Sequence, residues 1–112
     1  MIVDTAGVAP EAKGIVLECS SVPEERTIRG TVFWDFSFTA EDGTAYNESV
    51  PIWLAAPLFR ALLFKEISAG RFEFDPPEAM GRKVKCDIVH ETIKDKVYAR
   101  MKNIIPDSGI PF

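Results

Sequence analysis

The chain has 112 residues and a formal charge of −4, enough for one small domain and too short for two independent cores. Apolar residues make up 46% and charged residues 27%, which is typical of a globular domain and excludes a disordered chain. The longest apolar stretch, residues 52–64, is broken by Pro57 and Arg60, so we expect no membrane span. The two cysteines and one histidine are too few for a disulfide framework or a zinc site, and we expect no cofactor.

The first half of the chain predicts a short arm followed by three strands. Residues 1–12 contain Gly7 and Pro10 without a clear period, and residues 14–21 form a β-type run that ends before Pro23. Residues 31–39 alternate between a face with Val32, Trp34, Phe36 and Phe38 and a face with Thr31, Phe33, Asp35 and Ser37. A turn at residues 41–44 then returns the chain through residues 45–50, which predicts an antiparallel hairpin.

Residues 52–68 change the hydrophobic period from two to three or four. Apolar side chains recur at Trp53, Ala56, Phe59, Leu63 and Ile67, which favours a helix with one apolar stripe. Pro57 fits the first turn of such a helix and Gly70 its end. The sequence therefore predicts one helix near residues 57–68.

The last third of the chain predicts a second hairpin. Residues 82–90 and 97–105 both alternate, and residues 94–96 form the turn between them. Val84, Cys86, Ile88 and Met101 face inward in this pattern, and the outward positions are Lys83, Lys85, Tyr98, Arg100 and Lys102. The hairpin is thus expected to present cations and one tyrosine on one side.

The predicted elements follow the order strand, strand, strand, helix, strand, strand. This is the element order of the OB-fold, so the expected fold is mainly β, an OB-fold-like five-stranded antiparallel barrel with one α-helix between strands 3 and 4. The predicted organisation is an arm at residues 1–12, the barrel domain at residues 13–106 and a C-terminal tip at residues 107–112.

Charge is distributed unevenly along the chain. Residues 1–78 carry six basic and thirteen acidic side chains, a net of −7, whereas residues 79–106 carry seven basic and three acidic, a net of +4. A basic stripe is either a solvated sheet face, where lysines also prevent edge pairing, or a binding surface. Single-stranded nucleic acid needs cations for phosphates and aromatic platforms for bases, and this predicts DNA contacts at Phe33, Lys83, Lys85, Tyr98, Arg100 and Lys102.

Two segments carry a resemblance to known families. Residues 80–91 and 98–106 are similar to the closing hairpin of small phage and prophage single-strand-binding or recombination-associated proteins. Asp107-Ser-Gly-Ile-Pro-Phe112 resembles the C-terminal tip of bacterial single-stranded-DNA-binding proteins. The second resemblance implies that Phe112 and Ile110 enter an apolar pocket on host or phage replication and recombination proteins, that Pro111 fixes the approach, and that Asp107 meets a basic rim. The family also implies a homo-oligomer, with a dimer favoured, in the cytoplasm of the host cell.

Catalysis is not predicted. His90 lies beside Glu91, a pair that could act as base and orienter, but no nucleophile elbow and no glycine-rich phosphate loop accompany it. Of the aromatic residues, Trp34, Phe36, Phe38, Phe59 and Phe64 are expected in the core, while Trp53 and Tyr46 stay undecided.

Three functions remain open at this point. The first is a single-stranded-DNA-binding protein of phage or bacterial origin that recruits partner proteins through its tip. The second is an OB-fold interaction module for RNA or protein, which the acidic overall charge favours. The third is a small virion structural protein.

Overall fold

The computed structural model describes residues 9–107, and it is mainly β. A six-stranded antiparallel sheet has the order β2-β3-β1-β7-β8, with β4 on the other edge of β3, and β5 and β6 form a separate two-stranded sheet. The strands are β1 (Ala12–Cys19), β2 (Glu24–Ile28), β3 (Thr31–Ala40), β4 (Ala45–Pro51), β5 (Lys65–Ser68), β6 (Arg71–Glu73), β7 (Lys83–Ile93) and β8 (Lys96–Pro106). The helices are α1 (Ala56–Ala61) and α2 (Pro76–Ala79), and a 3₁₀ turn spans Ile52–Leu54.

The strong alternating segments of the sequence are confirmed as strands. Most of the predicted inward positions of β3 and β7 are buried, namely Phe36, Phe38, Val84, Cys86 and Ile88, whereas Val32, Trp34 and His90 are half-buried. The turn predicted at residues 94–96 is confirmed, with φ values of 49° at Lys94 and 65° at Asp95. A second tight turn, which was not predicted, has φ values of 50° at Arg29 and 78° at Gly30. Two successive residues at positive φ match the right-handed twist of the flanking strands.

The predicted count of five strands is wrong, since the described residues contain eight. The segment from Glu24 to Ile28 was not predicted as a strand, yet it pairs with β3 in register from Glu24↔Asp35 to Ile28↔Thr31. All five of its residues are exposed. A fully exposed edge strand carries no hydrophobic alternation, so the pattern that finds strands has nothing to detect there.

The predicted helix at residues 57–68 is wrong in its second half. The helix α1 ends at Ala61, and Leu63 adopts a φ of 65°, a left-handed conformation that stops the helix. Residues 65–68 form β5 instead, where the Glu66 carboxylate accepts hydrogen bonds from both Arg60 Nε and Nη2 at 2.9 Å. Residues 76 and 77 begin the short helix α2, which was not predicted.

The core lies inside the curved sheet, under α1 and the segment that follows β6. Phe74 stacks on Phe59 with ring centroids 4.5 Å apart and meets Phe64 and Trp34 edge to face, each at 4.8 Å. Phe36, Phe38, Phe59 and Phe64 are buried as expected. Trp34 is half-buried against this cluster, and Tyr46 is 6% exposed.

The sheet does not close into the predicted barrel. The strands β4 and β8 run in the same direction, because each is separated from the other by four successive antiparallel pairings, but no strand pairing joins them. We call this gap the β4–β8 seam. Within residues 9–107 no helix has the length and apolar content to cross a bilayer.

Candidate nucleic-acid interface

The β7–β8 hairpin brings three of the predicted site residues to one face. Tyr98, Arg100 and Lys102 occupy alternate positions of β8, opposite Glu91, Val89 and Asp87 of β7. Tyr98 is 42% exposed, and Lys102 is also exposed. The hairpin therefore presents an aromatic ring and two cations along one line, as the sequence predicts.

Two carboxylates interrupt the predicted basic stripe. Glu91 lies 3.6 Å from Arg100 Nη1 and 3.5 Å from Lys102 Nζ. Asp87 lies between Lys85 and Lys102, since it is two residues from the first and pairs across the ladder with the second. The four cations consequently form two separate pairs rather than one continuous positive surface.

Lys83 and Lys85 form the pair on the β1 side of the sheet. Lys83 is opposite Glu18 of β1, and Lys85 is opposite Val16. The aliphatic stem of Lys85 passes over Gly14, where a Cβ atom would come within 3.4 Å of its Cε. Both residues lie at the start of β7, and Lys85 is also opposite Ile105 of β8.

Asp87 fixes the local geometry on both sides of β7. Its Oδ1 accepts a hydrogen bond from Gly14 N–H at 2.8 Å, and its Oδ2 accepts one from Asn103 Nδ2 at 2.8 Å. Gly14 and Asn103 sit in irregular steps of β1 and β8 and have φ values of 62° and 53°. The bonds from Asn103 and Gly14 lower the pKa of Asp87 below its ordinary value. The carboxylate therefore joins two bulges, one on each flanking strand.

Phe33 is not brought together with the hairpin residues. It lies on β3 opposite Pro51 of β4, and the guanidinium of Arg26 sits 5.8 Å from its ring centroid. Arg26 also pairs with Asp35 at 3.0 Å. The ring is half-buried and partly covered by this cation.

Glu48 is the functional residue that the sequence analysis missed. It lies on β4 and is only 7% exposed. Its Oε2 accepts a hydrogen bond from the backbone N–H of Met101 at 3.0 Å, and its Oε1 accepts one from Arg100 Nε at 3.1 Å. One carboxylate thus bridges the β4–β8 seam where backbone hydrogen bonds are missing.

The environment of Glu48 opposes its ionised form. Burial raises the pKa of Glu48 above its ordinary value, although the bond from Met101 and the charge of Arg100 counteract part of that shift. The alternation of Tyr46, Glu48 and Val50 placed this carboxylate on an apolar face, and that was the signal that could have identified it.

Cavities open on both sides of the Glu48 bridge. One of about 290 Å³ is lined by Asn47, Ser49, Ile93, Tyr98 and Arg100 together with Glu48. The other, of about 370 Å³, has Leu54, Pro57 and Ile104 among its apolar lining and Arg100 and Lys102 among its polar lining. The seam is therefore a groove that runs between two strands, with Arg100 at its centre.

Trp53 is the most exposed large apolar side chain of the described residues, at 66%. It lies in the 3₁₀ turn Ile52–Leu54, directly after the end of β4. Its neighbours Ile52 and Leu54 are 47% and 60% exposed. The sequence left Trp53 undecided because its helical spacing matched that of the core positions.

The tip residues Ile110, Pro111 and Phe112 lie outside the described residues. Asp107 is the last described position, and it lines a cavity of about 430 Å³ with Leu62, Leu63, Arg82 and Lys83. This cavity has apolar walls and two cations on its lining.

His90 holds the segment that precedes β1. Its Nε2 lies 2.7 Å from the carbonyl oxygen of Ala9, and its backbone N–H donates to the Glu11 carboxylate at 2.9 Å.

Both cysteines are buried, and burial raises the pKa of Cys86 to about 12. In the described part of the chain, no three His, Cys, Asp or Glu side chains cluster as metal ligands.

No protein-family model matches the chain, and no curated protein shows significant similarity to it.

Proposed function

We propose that this chain is an OB-fold-like single-stranded-DNA-binding protein. Its strand pairings support the fold. The strands β1 and β2 both pair with β3, at its end and at its beginning, and β7 and β8 form the closing hairpin. In the chain, α1 lies between β4 and β7. In an OB-fold the strands equivalent to β4 and β8 approach each other in the same direction, as they do here across the seam. The bridging carboxylate of Glu48 takes the place of the closing ladder.

The observation that carries the proposal is the convergence of Tyr98, Arg100 and Lys102 at the mouth of the seam. Single-stranded DNA needs cations that follow its phosphates and aromatic faces that receive its unstacked bases. The β7–β8 hairpin supplies both along one edge of a groove. Lys83 and Lys85 add a second, separate pair of cations on β7, and Phe33 offers a further aromatic face on β3.

Recruitment of replication or recombination proteins through Asp107, Ile110, Pro111 and Phe112 belongs to the same proposal. Its support is the resemblance of these residues to the tip of bacterial single-stranded-DNA-binding proteins. An apolar aromatic side chain, a proline and an acidic residue in an extended peptide suit an apolar pocket with a basic rim.

The experiment is a salt-dependent titration of the protein with fluorescent oligo(dT), followed by anisotropy. We expect binding that weakens as salt rises, with a linear decrease of log affinity against log salt concentration. Oligo(rU) and duplex DNA of equal length serve as competitors. Absence of binding at low salt, or an affinity that does not depend on salt concentration, contradicts the proposal.

A protein-binding module is the second candidate. The exposed apolar run Ile52–Leu54 favours it, because three consecutive exposed large apolar residues are unusual on a protein surface that has no binding partner. The two candidates differ in the titration, since a module that binds only protein leaves oligo(dT) anisotropy unchanged at every salt concentration.

A further inference from the structure

The smaller cavity of the β4–β8 seam has the composition of a pocket for one flat heterocycle. Tyr98 forms one wall and Ile93 another, and these side chains are 42% and 43% exposed. Its volume of about 290 Å³ lies at the lower end of the range for small-molecule pockets. The space thus suits a single base with its sugar rather than a long ligand.

The polar side chains of this pocket differ in which hydrogen-bond donors and acceptors are still unused. Glu48 uses both oxygens on Met101 and Arg100, and Ser49 donates to Asp35 at 2.6 Å. Asn47 accepts a hydrogen bond from Ser37 at its Oδ1, at 3.1 Å. Within residues 9–107 nothing accepts a hydrogen bond from its Nδ2. One available side-chain donor at the pocket wall, besides Tyr98 and Arg100, is therefore the Asn47 amide N–H, which suits a carbonyl oxygen.

Arg100 supplies a fixed cation at the boundary of the pocket. Glu48 holds its Nε at 3.1 Å and Glu91 approaches its Nη1 at 3.6 Å. A guanidinium held on two sides loses less side-chain entropy when it binds a further anion. Lys102 follows two residues along β8, on the same face.

We propose that this pocket binds one unstacked base of single-stranded DNA. The base stacks on Tyr98, the Asn47 amide donates to a base carbonyl, and Arg100 binds an adjoining phosphate. Thymine, cytosine and guanine carry such a carbonyl, and in adenine a ring nitrogen accepts the same amide N–H, so the pocket accepts all four bases. The inference rests on the proposed function and adds to it a specific base contact in the seam.

The test compares probes of equal length that share a phosphate backbone: oligo(dT), oligo(dA) and an abasic deoxyribose-phosphate chain. We expect the wild-type protein to bind oligo(dT) about 5- to 100-fold more tightly than the abasic chain, which is the range that one stacked base contributes. Tyr98→Ala should remove most of that difference, and Tyr98→Phe should retain it because the ring remains. Asn47→Ala should weaken the binding of both base-carrying probes, oligo(dT) and oligo(dA), and leave the affinity for the abasic chain unchanged.

Ile67→Ala provides the control for general surface effects. Ile67 is 51% exposed and lies on β5, in the separate sheet, so its removal should leave all three affinities unchanged. Equal wild-type affinity for oligo(dT) and the abasic chain overturns the base pocket but leaves DNA binding through the backbone intact. A base preference that survives in Tyr98→Ala overturns the pocket as well. Binding to none of the probes overturns the proposed function itself.

Discussion

At the scale of single residues, Glu48 determines how the sheet ends. A backbone ladder across the β4–β8 seam would need a run of aligned N–H and carbonyl groups, whereas one carboxylate with two acceptor oxygens makes the connection here through Met101 and Arg100. A buried carboxylate is tolerated because it is hydrogen-bonded and paired. Removing the Glu48 carboxylate leaves the Met101 N–H without its acceptor, and removing the Arg100 guanidinium leaves the buried carboxylate without its cation.

Two substitutions of Glu48 separate its hydrogen bonds from its charge. Glu48→Ala should lower the free energy of unfolding by about 1–3 kcal/mol, because the Met101 N–H loses its buried acceptor. Glu48→Gln keeps an acceptor for Met101 and should cost less. Urea denaturation of the three proteins at neutral pH measures both effects, and an equal loss in the two variants contradicts this role for the carboxylate.

The difference in stability between the wild type and Glu48→Gln should depend on pH. The pKa of Glu48 is raised by burial in the folded state, so the protonated form favours folding below the ordinary pKa of about 4.5. That contribution is lost as pH rises through the folded pKa. The stability of the wild type relative to Glu48→Gln should therefore decrease as pH rises through this interval, and a relative stability that is independent of pH contradicts it.

Asp87 gives the opposite pH dependence. Its pKa is lowered by the hydrogen bonds from Asn103 and Gly14, so its contribution is present above the ordinary carboxyl pKa and is lost as pH falls through the lower folded value. Asp87→Asn should lower the thermal midpoint at neutral pH, and the difference from wild type should shrink in acid. Asp95→Asn, in the exposed turn between β7 and β8, removes an equal charge as the control and should leave the thermal midpoint at neutral pH unchanged.

At the scale of elements, the sequence predicts the strands that bury one face and fails on those that do not. The alternation of β3, β7 and β8 follows from apolar residues every second position, and the structure buries Phe36, Phe38 and Ile88 accordingly. The exposed strand β2 has no such signal. The error at residues 62–68 arises because Leu63 and Ile67 continue the helical spacing but are both 51% exposed, while the backbone at Leu63 and the Arg60–Glu66 pair direct the chain into a hairpin.

The candidate site was predictable in part for the same reason. Register within one hairpin follows from its turn, so the common face of Tyr98, Arg100 and Lys102 could be inferred from their spacing. The covering of Phe33 by Arg26 depends on the strand β2, which was not predicted. The seam depends on contacts between residues distant in sequence, such as Glu48 with Arg100 and Met101. No local pattern encodes those contacts.

The β7–β8 hairpin permits a direct test of phosphate contacts. Lys85→Gln combined with Lys102→Gln should reduce the slope of log affinity against log salt by about 1.4, since each phosphate contact on a single strand contributes about 0.7. Arg100 is left intact because it bonds to Glu48. The control is Lys65→Gln with Arg71→Gln, an equal change of charge on the β5–β6 hairpin, which should leave the slope unchanged. Equal slopes for wild type and the Lys85 and Lys102 variant would locate the phosphates elsewhere.

At the scale of the whole molecule, the charge is polarised along the chain. The net charge of −7 over residues 1–78 and of +4 over residues 79–106 means that the protein repels a polyanion in general and attracts it at one surface. Such a distribution orients an approaching strand more than it increases total affinity. The exposed acidic strand β2 belongs to the repelling part, and it lies on the opposite side of β3 from β4.

Neutralising that acidic strand should therefore help binding only at low salt. Glu24→Gln with Glu25→Gln removes two exposed charges that repel DNA without touching it. We expect the association rate with oligo(dT) to rise by about two- to threefold at low ionic strength, a modest effect of long-range steering. The gain should vanish near physiological salt, where the Debye length is about 8 Å. Stopped-flow anisotropy across a salt series measures this rate, and the dissociation rate provides the internal control because Glu24 and Glu25 are not among the proposed DNA contacts. A change in the dissociation rate that persists at high salt would instead mean that β2 itself is part of the interface.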